Sequence, residues 1–258
     1  MVSNIGRSRL DRDAVDPDKL KRGSAEEDIR LLSMVDIFEP LSRGEIEEIN
    51  WKRLETRVKR GETFFLPMDL GETLFILKSG RVRLFKKNAE GREFTLAVLE
   101  SGTVFGEMSI TGQRLRNAYA QAIETSDVAA MCRADVERLI MEKPKVALQL
   151  IHLLSDRLNA YETRLEDLAL KRVPARLASL LCMLIESQGV RTSTGYKIPT
   201  RYTHQQLSTM IGANREAVTR AFAILREAGA LQVMRRYIHV EDIEVLKRAA
   251  EDNSYQRV

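Results

Sequence analysis

Three patterns of hydrophobic and polar positions run along this 258-residue chain. Short runs at 63–66, 73–78, 81–87, 94–99, 119–124 and 127–132 are rich in β-branched, aromatic and alternating apolar positions. That pattern predicts strands, and turn residues separate them. Seven of the 14 glycines fall at 61, 71, 80, 91, 102, 106 and 112, punctuating the same stretch. Asn88-Ala89-Glu90-Gly91, between two runs, reads as a hairpin loop. Short strands at regular spacing predict a small β-sandwich or barrel. Past residue 142 the apolar positions lengthen their step. Ile151, Leu154, Leu158, Tyr161, Leu165 and Leu168 advance by three and four alternately, predicting a helix over about 144–170 with a heptad seam. Asp156, Arg157, Glu162, Arg164, Glu166 and Asp167 fill the positions between, so the apolar stripe is narrow. A narrow stripe suits a two-stranded seam better than a broad core face, which makes this helix the candidate homodimer contact.

The third pattern begins at Thr203. Thr203 is a good N-cap, and Leu207, Met210 and Ile211 make the apolar face of a first short helix. Gly212 supplies a sharp turn and Asn214 a second N-cap. Val218, Ala221, Phe222 and Leu225 then form the inner face of a second helix. Two helices joined by a short glycine turn predict a helix-turn-helix, whose second helix enters the DNA major groove N-terminus first. Opposite its apolar stripe stand Arg215, Glu216, Thr219 and Arg220. Arginine reaches guanine O6 and N7 with two bonds, and glutamate accepts from cytosine N4. Arg215, Glu216 and Arg220 are therefore the candidate base readers. Thr203, His204, Gln205, Asn214 and Thr219 are candidates for phosphate or positioning contacts. Two short strands at 231–234 and 237–240 flank Arg235-Arg236, which reads as a wing placing two cations near phosphates. The bland reading of the same helix is a solvated face with Glu216 paired to Arg220.

Charge favours the nucleic-acid reading. Residues 171–258 carry 14 Lys and Arg against 8 Asp and Glu, while the rest of the chain carries 27 against 29. All the net positive charge thus sits at the C-terminal end, as a double-stranded DNA-binding module requires. Residues 1–28 hold six basic and seven acidic side chains and few apolar ones, which predicts a disordered extension rather than a basic arm. The longest apolar run, 177–185, has nine residues and contains a serine, short of the ~20 that a membrane helix needs. With no hydrophobic leader, the expectation is a soluble cytoplasmic protein without a membrane partner. Cys132 and Cys182 are too few for a cluster of about four thiolates and read as buried small hydrophobes. The three histidines, His152, His204 and His239, suggest no metal site. No nucleophile elbow, phosphate loop, dinucleotide fingerprint or zinc-protease motif is present, so no catalytic residues and no enzyme are expected.

Gly106-Glu107-Met108-Ser109, Arg116-Asn117-Ala118, the long helix and Arg215-Glu216-Ala217-Val218-Thr219-Arg220 together resemble the cyclic-AMP receptor protein/FNR superfamily of bacterial transcription regulators. The resemblance covers roughly residues 30–245. It implies an α+β fold with a cyclic-nucleotide-binding-like β-roll, a long dimerisation helix and a C-terminal winged helix-turn-helix. The domains expected on that basis are a sensor at 29–142, the dimer helix at 143–170, the DNA-binding domain at 171–252 and a tail at 253–258. It also implies RNA polymerase as a partner, with a loop at 191–195 as a contact, and a TGTGA-like half-site for Arg215, Glu216 and Arg220. A two-fold dimer then requires an inverted repeat with half-sites about one helical turn (~34 Å) apart.

For the sensor, the resemblance assigns Gly106 and Glu107 to a ribose and Arg116 to a cyclic phosphate, with Asn117 beside it. Arg157 and Tyr161 would face the same pocket from the long helix. Three departures stand out. Asn117 replaces the usual Ser or Thr, the loop between Glu107 and Arg116 is one residue short, and Tyr161-Glu162 stand where an adenine-binding Thr-Ser pair is usual. Cyclic AMP, another small effector and no effector all remain open. A buried arginine between apolar stretches needs an anionic partner, either a ligand phosphate or Glu107 itself.

Overall fold

The computed structural model describes residues 33, 35–49, 54–107, 115–234 and 237–251. The expected extension, Met108, Ser109, Arg235, Arg236 and the tail lie outside the described residues. The chain forms two compact units, one of residues 1–87 and 95–157, the other of 88–94 and 158–258.

In the first unit a 3-10 turn (Asp36–Phe38) leads into a short helix α1 (Arg43–Glu47), started by a Ser42/Glu45 capping box. Eight strands follow: β1 (Leu54–Val58), β2 (Thr63–Phe65), β3 (Thr73–Ser79), β4 (Val82–Lys87), β5 (Glu93–Leu99), β6 (Val104–Phe105), β7 (Tyr119–Ala122) and β8 (Ser126–Cys132). They make two four-stranded sheets, ordered β1-β8-β3-β6 and β2-β7-β4-β5. The central pair, β3 and β8, explains how the roll is filled. Leu74, Ile76, Ala129 and Met131 enter one core cluster, whereas Phe75, Leu77, Val128 and Ala130 enter the other. Side chains alternate across a strand, so each of these strands serves a core on each face and is apolar over its central residues, 74–77 in β3 and 128–131 in β8. The first cluster is closed by Val136 and Leu139 of helix α2 (Arg133–Glu142) and by Val146 and Leu150 of helix α3 (Pro144–Leu170). In the second, Phe64, Phe65, Phe75 and Phe105 form an aromatic cluster with ring centroids 5.1–6.3 Å apart.

All six expected strands are present, with ends shifted by no more than two residues. The Asn88 hairpin forms as well: its Oδ1 accepts from the Glu90 and Arg92 amides at 3.1 and 2.9 Å. Two strands without a counterpart in the sequence pattern, β1 and β6, are both sheet edges. An edge strand has one neighbour only, so its period is weakly written.

The second unit contains helix α4 (Val173–Gln188), a hairpin of β9 (Val190–Thr192) and β10 (Gly195–Ile198), helices α5 (His204–Ile211) and α6 (Arg215–Glu227), strands β11 (Leu231–Met234) and β12 (Tyr237–Val240), and helix α7 (Ile243–Glu251). Its sheet runs β11-β12-β10-β9. The segment 191–195, expected as a loop, is thus most of the β9–β10 hairpin. Helix α4 packs on α5, α6 and α7 and buries Ala175, Leu177, Ala178, Leu181 and Leu184.

The cysteine expectation needs correction. Cys132 is exposed, because it follows Met131 at the end of β8 and points away from the core. Cys182 is half-buried, and burial raises its thiol pKa. Along α3, Ile151, Leu158 and Leu165 are 56%, 57% and 65% exposed in the single chain, while Leu154, Tyr161 and Leu168 are half-buried. No helix of the described residues is long and apolar enough to cross a membrane.

Candidate functional site

The candidate nucleic-acid interface is built by local sequence. Thr203 Oγ1 accepts from the Gln206 amide at 3.1 Å, and Gln206 Oε1 accepts from the Thr203 amide at 2.8 Å, so α5 starts on a capping box. Gly212 ends it in the left-handed region, with φ +61°. A Cβ there would lie 2.9 Å from Leu168 Cδ2, so both φ and space select glycine. Asn214 Oδ1 then accepts from the Ala217 amide at 2.7 Å and starts α6. Val218, Ala221, Phe222 and Leu225 bury one face of α6.

The opposite face carries Arg215, Glu216, Thr219 and Arg220, all exposed. Among the described residues, no hydrogen bond or ion pair holds the side chains of Arg215, Glu216 or Arg220, and the Glu216–Arg220 pair of the bland reading does not form. Three charged groups thus stand in solvent at the N-terminal end of one helix, where unpaired backbone N–H groups favour an anion. Gln205 and Asn214 are exposed on the same motif. His204 is different. Its Nδ1 lies 2.8 Å from Thr219 Oγ1 and its ring stacks on Phe222 with centroids 4.8 Å apart. Burial first, and then the charge of Arg215, lowers its pKa.

In the β-roll four of the six candidate ligand residues come together. Arg116 is 5% exposed; its Nη1 donates to Gly106 O at 2.7 Å and its Nη2 to Thr73 O at 2.5 Å. The guanidinium lies over the Phe65 ring, 4.4 Å from the centroid. Gly106 is required here, since φ is +82° and a Cβ would meet Arg116 Nη1 at 2.8 Å. Glu107 is 9% exposed and pairs with Arg157, Nη1 to Oε2 being 2.7 Å without hydrogen-bond alignment. Arg157 Nη2 donates to Val104 O at 2.5 Å. Glu107 is therefore bound to Arg157 rather than to Arg116, the partner that the sequence suggested. Burial depresses the Arg116 pKa, and Glu107, Asp69 and Glu72 offset this only through space. Its Nε is buried without a partner among the described residues. Asn117 is exposed, outside this buried group, and Tyr161 belongs to the second unit. Sequence reasoning could not find Thr73, Val104 or Phe65 as the seat of these arginines. Two of them act through backbone carbonyls, which every residue has.

A β-roll of this topology and a winged helix-turn-helix with a free-standing polar face define a DNA-binding transcription regulator with a cyclic-nucleotide-binding-type domain. Comparison with known proteins agrees. The cyclic nucleotide-binding domain family matches residues 55–143, and the Crp-like helix-turn-helix domain family matches residues 175–249. The chain is 34% identical to the cyclic AMP receptor protein of Thermus thermophilus over 191 residues, 74% of this chain and 85% of that one. It is 32% identical to the global nitrogen regulator of Synechocystis, over 71% of this chain and 82% of that one. Among solved structures, a CRP/FNR-family regulator from Thermus thermophilus superposes with TM-score 0.65 at 26% identity, covering 78% of this chain and all of that one. A CooA variant from Carboxydothermus hydrogenoformans gives 0.66 at 26% identity, covering 76% and 87%. The chain belongs to the CRP/FNR superfamily of transcription regulators. Its relatives are regulators rather than enzymes.

Proposed function

We propose that the chain acts as a homodimer that reads a TGTGA-like inverted repeat with Arg215, Glu216 and Arg220, under the control of a small anionic effector in the β-roll. The observation that carries the DNA reading is the unpartnered state of these three side chains at the capped start of α6. A guanidinium left in solvent keeps its paired donors free for a base edge. Thr203, Gln205, Asn214 and Thr219 lie on the same motif, and Arg235 and Arg236 follow it in sequence as phosphate contacts. The exposed Ile151, Leu158 and Leu165 at seven-residue spacing support pairing of α3 with a second copy. Leu158→Glu should then shift the protein towards monomer in sedimentation, and a variant that stays dimeric would move the interface elsewhere. RNA polymerase is the partner that family membership supports.

For the effector, Arg116 carries the argument: among the described residues its buried guanidinium has no carboxylate in contact and one N–H unpaired, which favours an incoming phosphate. A specific observation favours the second reading, regulation without an effector. Glu107, the ribose-holding carboxylate of the family, is already paired with Arg157. The names of the two relatives point to different signals, so identity alone does not choose one. Fluorescence anisotropy with a labelled TGTGA-type inverted-repeat duplex, with and without cyclic AMP at fixed salt, tests both readings. Tightening by cyclic AMP supports a nucleotide effector. Tight binding that ignores it supports the second reading, and weak binding equal to that of a scrambled duplex overturns the half-site.

A further inference from the structure

We infer that His204 and Thr219 form a brace that positions the recognition helix α6 for base reading, His204 acting through its Nδ1 on the protein rather than on DNA. This rests on the DNA reading proposed above. Thr219 Oγ1 donates to the Arg215 carbonyl at 3.0 Å. A hydroxyl has one hydrogen, so its second contact, 2.8 Å from His204 Nδ1, is donated by the ring. The neutral imidazole is therefore the Nδ1–H tautomer, with Nε2 left as an acceptor. The ring is also held flat against Phe222, at an interplanar angle of 9°. Phe222 is 7% exposed and part of the buried face of α6.

The placement gives the contact its consequence. His204 is the first residue of α5, behind the Thr203 capping box, and Thr219 lies one turn into α6 with its hydroxyl on the carbonyl of Arg215. Only Gly212, Ala213 and Asn214 join the two helices, and Gly212 is in the left-handed region. A chain of two hydrogen bonds and one ring stack thus ties the start of α5 to the head of α6 across a glycine turn. Two-bond recognition of a base tolerates displacements of only about 0.5 Å and 10–20°. Rotation of α6 about its own axis is what such a side tie resists. The expected phosphate contact of His204 would use Nε2, so the two ring nitrogens separate the two roles.

Side-chain mimicry makes the test. Asparagine carries an amide nitrogen near the position of Nδ1, whereas glutamine carries one near Nε2. The readout is the preference for the TGTGA-type inverted repeat over duplexes with single substituted base pairs, at one salt concentration. His204→Ala and His204→Gln should lower that preference about three- to tenfold, the value of one lost hydrogen bond, and His204→Asn should keep it. Thr219→Val should match the alanine loss, and the double variant should add nothing to it. Rescue by glutamine but not asparagine, with equal loss on all duplexes, would make His204 a phosphate contact and overturn the brace. An unchanged His204→Ala or additive losses would overturn it as well. Should His204→Ala not fold, the asparagine, glutamine and valine variants give the same decision. Two further arms separate this idea from the DNA reading. Long-range 1H–15N spectra of the free protein should show His204 as the Nδ1–H tautomer, and an Nε2–H tautomer would remove the brace without touching the DNA reading. Arg215→Ala tests base reading itself, and a preference unaltered by it would sink that reading while the tautomer still reports on the brace.

Discussion

The β-roll and the recognition helix hold similar chemistry, arginines beside a glutamate, in opposite states. In the β-roll Arg116 is buried and Arg157 half-buried, and both are committed to Gly106, Thr73 and Val104 carbonyls and to Glu107. On α6, Arg215, Glu216 and Arg220 are exposed and uncommitted among the described residues. A buried charge must be satisfied by the fold, because its desolvation otherwise costs more than folding can supply. An exposed charge contributes little to stability and remains free for a partner. Residue type alone therefore does not separate the two roles; burial does.

The difference can be broken at either end. Arg116→Ala should lose the most, about 2–4 kcal/mol of folding stability in a denaturant melt, because a buried and a half-buried carbonyl each lose a donor. A near-neutral result would mean that the β-roll guanidinium is not part of the fold. Glu107→Gln keeps the shape of the ion pair and removes its charge, so a loss of about 1–3 kcal/mol is expected in the same measurement. If it is as stable as the parent, Arg157 needs no counter-charge. Arg215→Ala should leave the melt within about 0.5 kcal/mol while costing about 1–3 kcal/mol at one base position of the duplex. A uniform loss over all duplexes would place Arg215 on a phosphate.

The smallest effect concerns pH. Burial and Arg215 hold the His204 pKa below the ordinary histidine value of 6.5. Between the folded and unfolded values the unfolded chain binds more protons, so folding stability should rise with pH up to about 6.5 and gain nothing from this group above it. His204→Asn should flatten that segment of the stability curve. The carboxylates behave differently: Asp127, held low by its hydrogen bond from Arg57, keeps its contribution above the ordinary carboxylate range and loses it as pH falls through the lowered value. A parent slope that survives in His204→Asn would assign the titration to another group.

Legibility in the sequence followed the range of the interactions. The bounds of α3, the N-caps Thr203 and Asn214, the Gly212 turn and the Asn88 hairpin are set within a few residues of chain, and each was readable there. The edge strands β1 and β6 were not, since one-sided pairing leaves a weak period. At the candidate sites, the face of α6 was readable from helical spacing, while the partner of Glu107 was not.

Sequence alone determined the two kinds of domain, the order in which they come, the charged face of α6 and the positive excess at its end of the chain. Only the tertiary structure decided which charges are spent. It seated Arg116 on a carbonyl 43 residues away, paired Glu107 with Arg157 on the long helix, and turned His204 towards Thr219, 15 residues on. The physical reason is that a backbone carbonyl has no sequence signature. Which donor reaches it depends on burial and on distances that exist only after the strands and helices have packed.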